Sequence, residues 1–186
     1  MTSVSAHQVA RQLRQQLPGL GKKKLHKLLY YCQGHHLATF GAPLFHETIS
    51  AWDMGPVVGQ LWYDEDRGAP STTRPAGQLN ESHLNTIGYV VSHYGALSGN
   101  ELERLTHSET PWRAASTRRD APGTSKKISP DSIRQYFAEP HDDEDDTSYP
   151  PPTEVTEWLA DADETALGDP QTDSLNELRR RLTTSA

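Results

Sequence analysis

The stretch from residue 21 to residue 61 decides the fold of this chain: GKKKLHKLLYYCQGHHLATFGAPLFHETISAWDMGPVVGQL. It contains the densest apolar run, a lysine-rich helix start and a Gly-Pro-Val-Val corner. Apolar side chains recur at i, i+3, i+4 and i+7, the spacing of one buried helical face, at Leu25, Leu28, Leu29 and Cys32. A second face carries residues four apart, namely Lys23, Lys27, Tyr31 and His35. The sequence therefore predicts a helix over residues 22–40, with one side that packs and a second side available to a partner.

Outward from this stretch, the pattern predicts a mainly α, compact multi-helix domain with a small β element. Alternating residues over 44–53 indicate a strand, which could form one arm of a hairpin. After a corner at Gly55, Pro56 is expected at the first position of a helix. Capping boxes or N-terminal prolines predict the other helices, over residues 5–17, 81–97, 98–107, a turn from 110, and 129–137.

Charge divides the chain into two parts. Residues 1–138 carry a balance of +4 and residues 139–186 a balance of −11, which together give the net charge of −7. The acidic run 139–146 and the prolines 150–152 predict a linker, followed by one or two short amphipathic helices. We therefore expect a domain over 1–138 and an acidic, helical tail over 139–186. In that tail Trp158 and Leu159 are predicted to anchor a partner or to pack on the body.

Several classes of function lack their sequence signals. No apolar run reaches the ~18 residues of a membrane span, and the N-terminus lacks a signal core, so the protein is expected in the cytoplasm without membrane insertion. The single Cys32 is expected to be a small core residue. Nine histidines show no metal-ligand spacing, and no nucleophile elbow or phosphate loop is present. We predict no catalytic residue, no metal, no cofactor and no enzymatic activity.

The lysine-rich helix is the candidate binding site. Its cationic and aromatic side chains, predicted to bind a partner, are Lys23, Lys24, Lys27, Tyr30 and Tyr31. Such a cluster, with a second one near residues 118–127, could contact phosphates. The small charge of the body and competition from the acidic tail disfavour nucleic acid, and a solvated basic face is an equally plain explanation.

Three motifs, in this order and spacing, resemble the Panacea domain, the SocA-like antitoxin domain of bacterial and phage toxin–antitoxin pairs. They are KLHKLLYYCQGHHLATFGAPLFHETISAWDMGPVV (24–58), LERLTHSETPWRAA (102–115) and ISPDSIRQYF (128–137). The matching domain-defining positions are Lys24, Lys27, Tyr30, Trp52, Gly55, Pro56, Val57, His107, Pro111 and Trp112. The sequence departs from the pattern at Gly59, where the family often has proline.

The resemblance implies a mostly helical fold and an antitoxin that neutralises a toxin by binding it directly. One family member instead delivers its toxin to the protease ClpXP, so a proteolytic adaptor is the alternative. A DNA-binding autoregulator and a histidine metalloenzyme are further alternatives. If the toxin binds nucleotides, the acidic run 142–146 could occupy its phosphate site by charge mimicry.

Overall fold

The computed structural model describes residues 4–68, 78–117 and 126–139. Within them, the chain forms seven helices and a two-stranded antiparallel sheet, which confirms the mainly α fold with a small β element. The helices are α1 (Ala6–Gln16), α2 (Lys22–Phe40), α3 (Gly59–Asp66), α4 (Glu81–Tyr94), α5 (Gly99–Ser108), α6 (Thr110–Ser116) and α7 (Pro130–Ala138). The strands are β1 (Ile49–Trp52) and β2 (Gly55–Val58).

Helix α2 runs through the middle of the domain. Helices α1, α4, α5 and α7 and strand β2 all pack against it, so every residue from Leu25 to Gly34 is buried. The expectation of a second, free face is therefore corrected: Lys27 and Tyr31 lie in the interior, with 1% and 2% of their surface exposed. Cys32 is also fully buried, as predicted.

The hairpin differs from the prediction in both of its arms. The predicted strand over residues 44–53 shortens to Ile49–Trp52, and Ile49 pairs with Val58 at the open end of the hairpin. The prediction that Pro56 begins a helix is wrong, because Pro56 lies in β2 opposite Ala51 and the helix begins at Gly59. A fixed φ near −65° suits a strand of a small sheet as well as a helix start.

Residues 126–128 extend the sheet on the far edge of β1. The Ala51 N–H donates to Lys126 O at 2.7 Å, and the Ile128 N–H donates to Ile49 O at 2.9 Å. Helix α7 follows directly and packs along α2. Here the Phe137 ring lies against Gly34 so closely that a Cβ at Gly34 would be 2.3 Å from Phe137 Cδ2.

The predicted acidic linker and helical tail over 139–186 lie outside the described residues, apart from residue 139 itself, and so do Trp158 and Leu159. The boundary at 138/139 thus stays a prediction. Within the described ranges, no helix has both the length and the apolar character needed to cross a bilayer.

Candidate functional site

The first two sequence motifs meet at the hairpin turn. Gly55 has φ +97°, in the left-handed region that favours glycine, and follows the turn residues Asp53 and Met54. A Cβ at Gly55 would stand 2.7 Å from Lys27 Cε on α2 and 3.0 Å from Thr106 Oγ1 on α5. The turn therefore lies directly against both helices, and a larger residue at position 55 would push the turn away from α2 and α5.

Lys27 is a buried lysine that joins α2 to β2. Its Nζ donates to Pro56 O at 3.2 Å. Burial lowers the pKa of Lys27 to about 8, and the nearby Glu103 carboxylate opposes this shift. Lys27 thus holds the hairpin onto α2 and has no surface on which to meet a partner.

Trp112 and His107 hold the hairpin from the side of α5 and α6. The Trp112 indole Nε1–H donates to Trp52 O at 3.2 Å. The His107 imidazole stacks on Trp112, with 3.9 Å between ring centroids and 16° between planes. Burial lowers the pKa of His107, while the Glu103 carboxylate and a hydrogen bond to the Asp53 backbone oppose that shift. The motif residues around position 110 therefore position the turn.

Glu109 is the site residue that sequence reasoning missed. It lies between α5 and α6, buried, and its two carboxylate oxygens accept hydrogen bonds from the Tyr30 and Tyr31 hydroxyls at 2.7 and 2.8 Å. Burial raises the pKa of Glu109 to about 7, although the two phenol hydrogen bonds oppose the shift. In the sequence it is only one member of the run His107-Ser108-Glu109, and its partners stand almost 80 positions away.

The two tyrosines predicted to bind a partner are thus part of the interior. Tyr31 also stacks on Tyr94 of α4, with ring centroids 4.0 Å apart and planes at 11°. Tyr30 and Tyr31 contact Phe137 of α7 edge to face. In this structure they join α2 to α4, α6 and α7, and a direct role in partner binding stays an untested prediction.

The lysines at the start of α2 are bound within the protein. Lys22 lies over the Trp62 ring, 3.9 Å from its centroid, and donates to Trp62 O at 3.2 Å. Lys23 pairs with Glu103 and donates to Asn100 Oδ1, and Lys24 donates to Gly95 O at 2.6 Å. These contacts join the first turn of α2 to α3, α4 and α5. They also explain why lysines occupy a helix start, where the macrodipole disfavours positive charge.

An apolar surface lies on the outer side of the hairpin and α3. We call it the hairpin face and define it by Trp52, Met54, Trp62 and Tyr63. The Trp52 ring stands 5.5 Å from Trp62 and 6.0 Å from Tyr63, and Trp52 and Trp62 are half-buried. Met54 is 42% exposed and Tyr63 is 52% exposed. Aromatic and methionine side chains are enriched in protein interfaces, which makes this face a candidate binding surface.

Two buried histidines, His26 and His36, have structural roles. His26 Nδ1 accepts from the Val58 N–H at 3.2 Å, and burial lowers the pKa of His26 to about 3. Thr86 donates its hydroxyl proton to Ser82 O, so His36 Nδ1–H must be the donor to Thr86 Oγ1 at 3.0 Å. Among residues 4–68, 78–117 and 126–139, no group of three or more His, Cys, Asp or Glu could hold a metal ion.

A groove of about 390 Å³ separates α1 from α3. Its floor is Ala10 and Leu61, and Arg14 pairs with Glu65 across it at 2.8 Å. This ion pair links α1 to α3. Because Arg14 and Glu65 are already paired with each other, these two charged groups of the groove are less available to a ligand than the exposed side chains of the hairpin face.

Comparison with known families agrees with this geometry. The family model described as "Antitoxin SocA-like, Panacea domain" matches residues 25–113, a little under half of the chain. Neither the curated proteins nor the solved structures compared with the chain give a match. The matched residues include α2 from Leu25 onward, the hairpin, and the segment with His107, Glu109 and Trp112. Over residues 25–113, the chain is thus similar to the antitoxin SocA-like, Panacea-domain family.

Proposed function

We propose that this protein is an antitoxin that neutralises a cognate toxin protein by binding it directly, in the cytoplasm and without transforming it. The observation that supports the proposal is the match to the antitoxin SocA-like family model over residues 25–113, which include the hairpin and the residues that support it. The toxin is the expected partner.

The way in which the motif residues are used favours binding over chemistry. Lys27, Glu109 and His107 each contact another structural element of the same domain. Their perturbed pKa values accompany burial and packing, which is the behaviour of structural networks as well as of catalytic groups. What the described region offers to the outside is a surface with exposed aromatic and thioether groups, which suits a protein partner.

The lysines at the start of α2 bear on the DNA-binding alternative. The ammonium groups of Lys22, Lys23 and Lys24 hydrogen-bond to backbone or side-chain oxygens of α3, α4 and α5 and the residues joining them. Phosphate contacts would have to replace these bonds, which weakens the case for an autoregulator that uses this helix. The proteolytic adaptor differs from the direct antitoxin in the fate of the toxin and is decided by the same experiment.

The test is co-expression of the full chain with the toxin encoded by the neighbouring open reading frame, identified as the product whose expression alone stops growth. We expect growth to return, the two purified proteins to form a stable complex, and the half-life of the toxin to be unchanged in cells with and without ClpX. Restored growth with a ClpX-dependent fall in toxin half-life would support the adaptor instead. Failure to restore growth and to form a complex would refute the antitoxin assignment.

A further inference from the structure

We propose that the hairpin face is the surface that binds the toxin, and that it fits an apolar toxin patch bearing basic side chains. This inference rests on the proposed antitoxin function and adds to it the site and the chemistry of the partner. It is carried by three features of the described residues: exposure, rigidity and charge.

Exposure distinguishes this face from the rest of the domain. Four large apolar side chains of the described residues are more than a third exposed, and two of them, Met54 and Tyr63, flank Trp52. The other two, Leu84 and Leu105, lie on α4 and α5. Around Trp52, the exposed Tyr63 ring lies 6.0 Å from the Trp52 ring, which lies 5.5 Å from the Trp62 ring, so three aromatic side chains lie together there.

Rigidity makes this face suitable for tight binding. The Trp52 carbonyl accepts from Trp112, the Trp62 ring lies under the Lys22 ammonium, and Gly55 fits between α2 and α5 without spare room. A hairpin backbone and a Trp62 ring that are already held in place lose little freedom on association. The buried Lys27 beneath β2 thus contributes to recognition by positioning the face, without touching the partner.

Charge indicates the kind of partner. Asp53 is exposed at the tip of the turn, between Trp52 and Met54, and no ion pair involves it among the described residues. Asp66 is 74% exposed, 3.9 Å from Lys22, whose ammonium is already held over Trp62. Exposed carboxylates beside the half-buried Trp52 and the exposed Tyr63 are the combination that binds a guanidinium or ammonium group, by an ion pair and by cation–π contact.

The experiment measures the affinity of the full chain for the purified toxin of the neighbouring open reading frame. The double variant Met54→Ala/Tyr63→Ala should raise the Kd by about tenfold or more, since buried aromatic anchors dominate interface energies. The matched control Leu84→Ala/Leu105→Ala removes apolar groups of similar exposure elsewhere and should change the Kd by less than about twofold. All four substitutions are at exposed positions, and circular dichroism and thermal unfolding check that each variant is folded.

Salt dependence tests the charge assignment. The affinity of the wild type should fall as NaCl is raised from roughly 50 to 500 mM, and the variant Asp53→Asn/Asp66→Asn should bind more weakly at low salt with a flatter salt dependence. A wild type that binds the toxin with the same Kd as Met54→Ala/Tyr63→Ala would overturn the site while leaving the antitoxin function intact. Unchanged salt dependence in the aspartate variant would overturn the basic partner. A wild type that neither binds nor neutralises the toxin would refute the function itself.

Discussion

The buried carboxyl of Glu109 gives the domain a pH dependence that can be worked out from its contacts. Burial raises its pKa from 4.5 to about 7. The folded protein therefore holds a proton that the unfolded chain releases between these two values. The stabilisation that this proton gives is fully present below pH ~4.5 and is lost as the pH rises through ~7. At 1.36 kcal/mol per pKa unit, the contribution amounts to about 3 kcal/mol.

The perturbation that isolates this contribution is Glu109→Gln. A glutamine stays neutral, accepts one tyrosine hydroxyl at its carbonyl oxygen and donates an amide N–H to the other phenol oxygen, so it imitates the protonated acid. Relative to this variant, the wild type should lose about 2–3 kcal/mol of unfolding free energy between pH ~5 and pH ~8. The assay is urea unfolding followed by tryptophan fluorescence at several pH values, with the difference between the two proteins plotted against pH.

Taking this difference is necessary because buried histidines act in the opposite direction. Burial lowers the pKa of His35 and of His36 to about 4, so both favour the folded state above pH 6.5 and withdraw that stability as the pH falls toward 4. Their contribution is common to both proteins and cancels in the subtraction. Glu81→Gln removes an exposed carboxylate of α4 and is the matched control for the substitution itself. A flat difference between the wild type and Glu109→Gln would refute the reasoning.

Three glycine substitutions test the packing of the hairpin and of α7. Gly55→Ala should lower the unfolding free energy by about 2 kcal/mol or more, because φ is +97° and the new Cβ would meet Lys27 Cε at 2.7 Å. At Gly59 the φ is not left-handed and an added Cβ would be 3.9 Å from its nearest neighbour, the Trp52 ring, so Gly59→Ala should be neutral or stabilise by about 0.4–1 kcal/mol. A large loss of unfolding free energy in this variant would contradict the description of the hairpin. Gly34→Ala should cost about 1–3 kcal/mol by displacing Phe137, and in a double-mutant cycle with Phe137→Ala its cost should largely disappear, whereas additive costs would show that the two do not touch.

Local chemistry made several helix boundaries predictable, although not the start of α3. Helix α2 was expected over residues 22–40 and occupies Lys22–Phe40, because Gly41 adopts a left-handed φ of 65° and ends it. The capping boxes of Ser5 with Gln8 and of Ser98 with Glu101 both form. These signals depend only on residues three or four apart. They are therefore visible in the sequence.

Burial of polar side chains was not predictable in the same way. The four-residue spacing of Lys23, Lys27 and Tyr31 indicates a polar stripe, and such stripes usually face water. Here α2 is surrounded, and the stripe finds its partners on β2, α5 and the start of α6. Those partners lie far away in the sequence, so no window on the helix could reveal them. Likewise, a capping box of Asn80 with a histidine at the third position departs from the usual Ser/Thr–Glu/Gln pattern.

The physical unit is longer than the family match, and the sheet shows why. The hairpin of residues 49–58 would leave the outer edge of β1 unpaired, with the Ala51 N–H and the Ile49 carbonyl among its unsatisfied groups. Residues 126–128 supply both partners, and α7 then fills the space over Gly34 with Phe137. Unpaired edge groups and an open aromatic groove on α2 would both favour unwanted association. Residues 126–138 therefore pack against the matched region, and the hairpin face is the surface that we propose meets the partner.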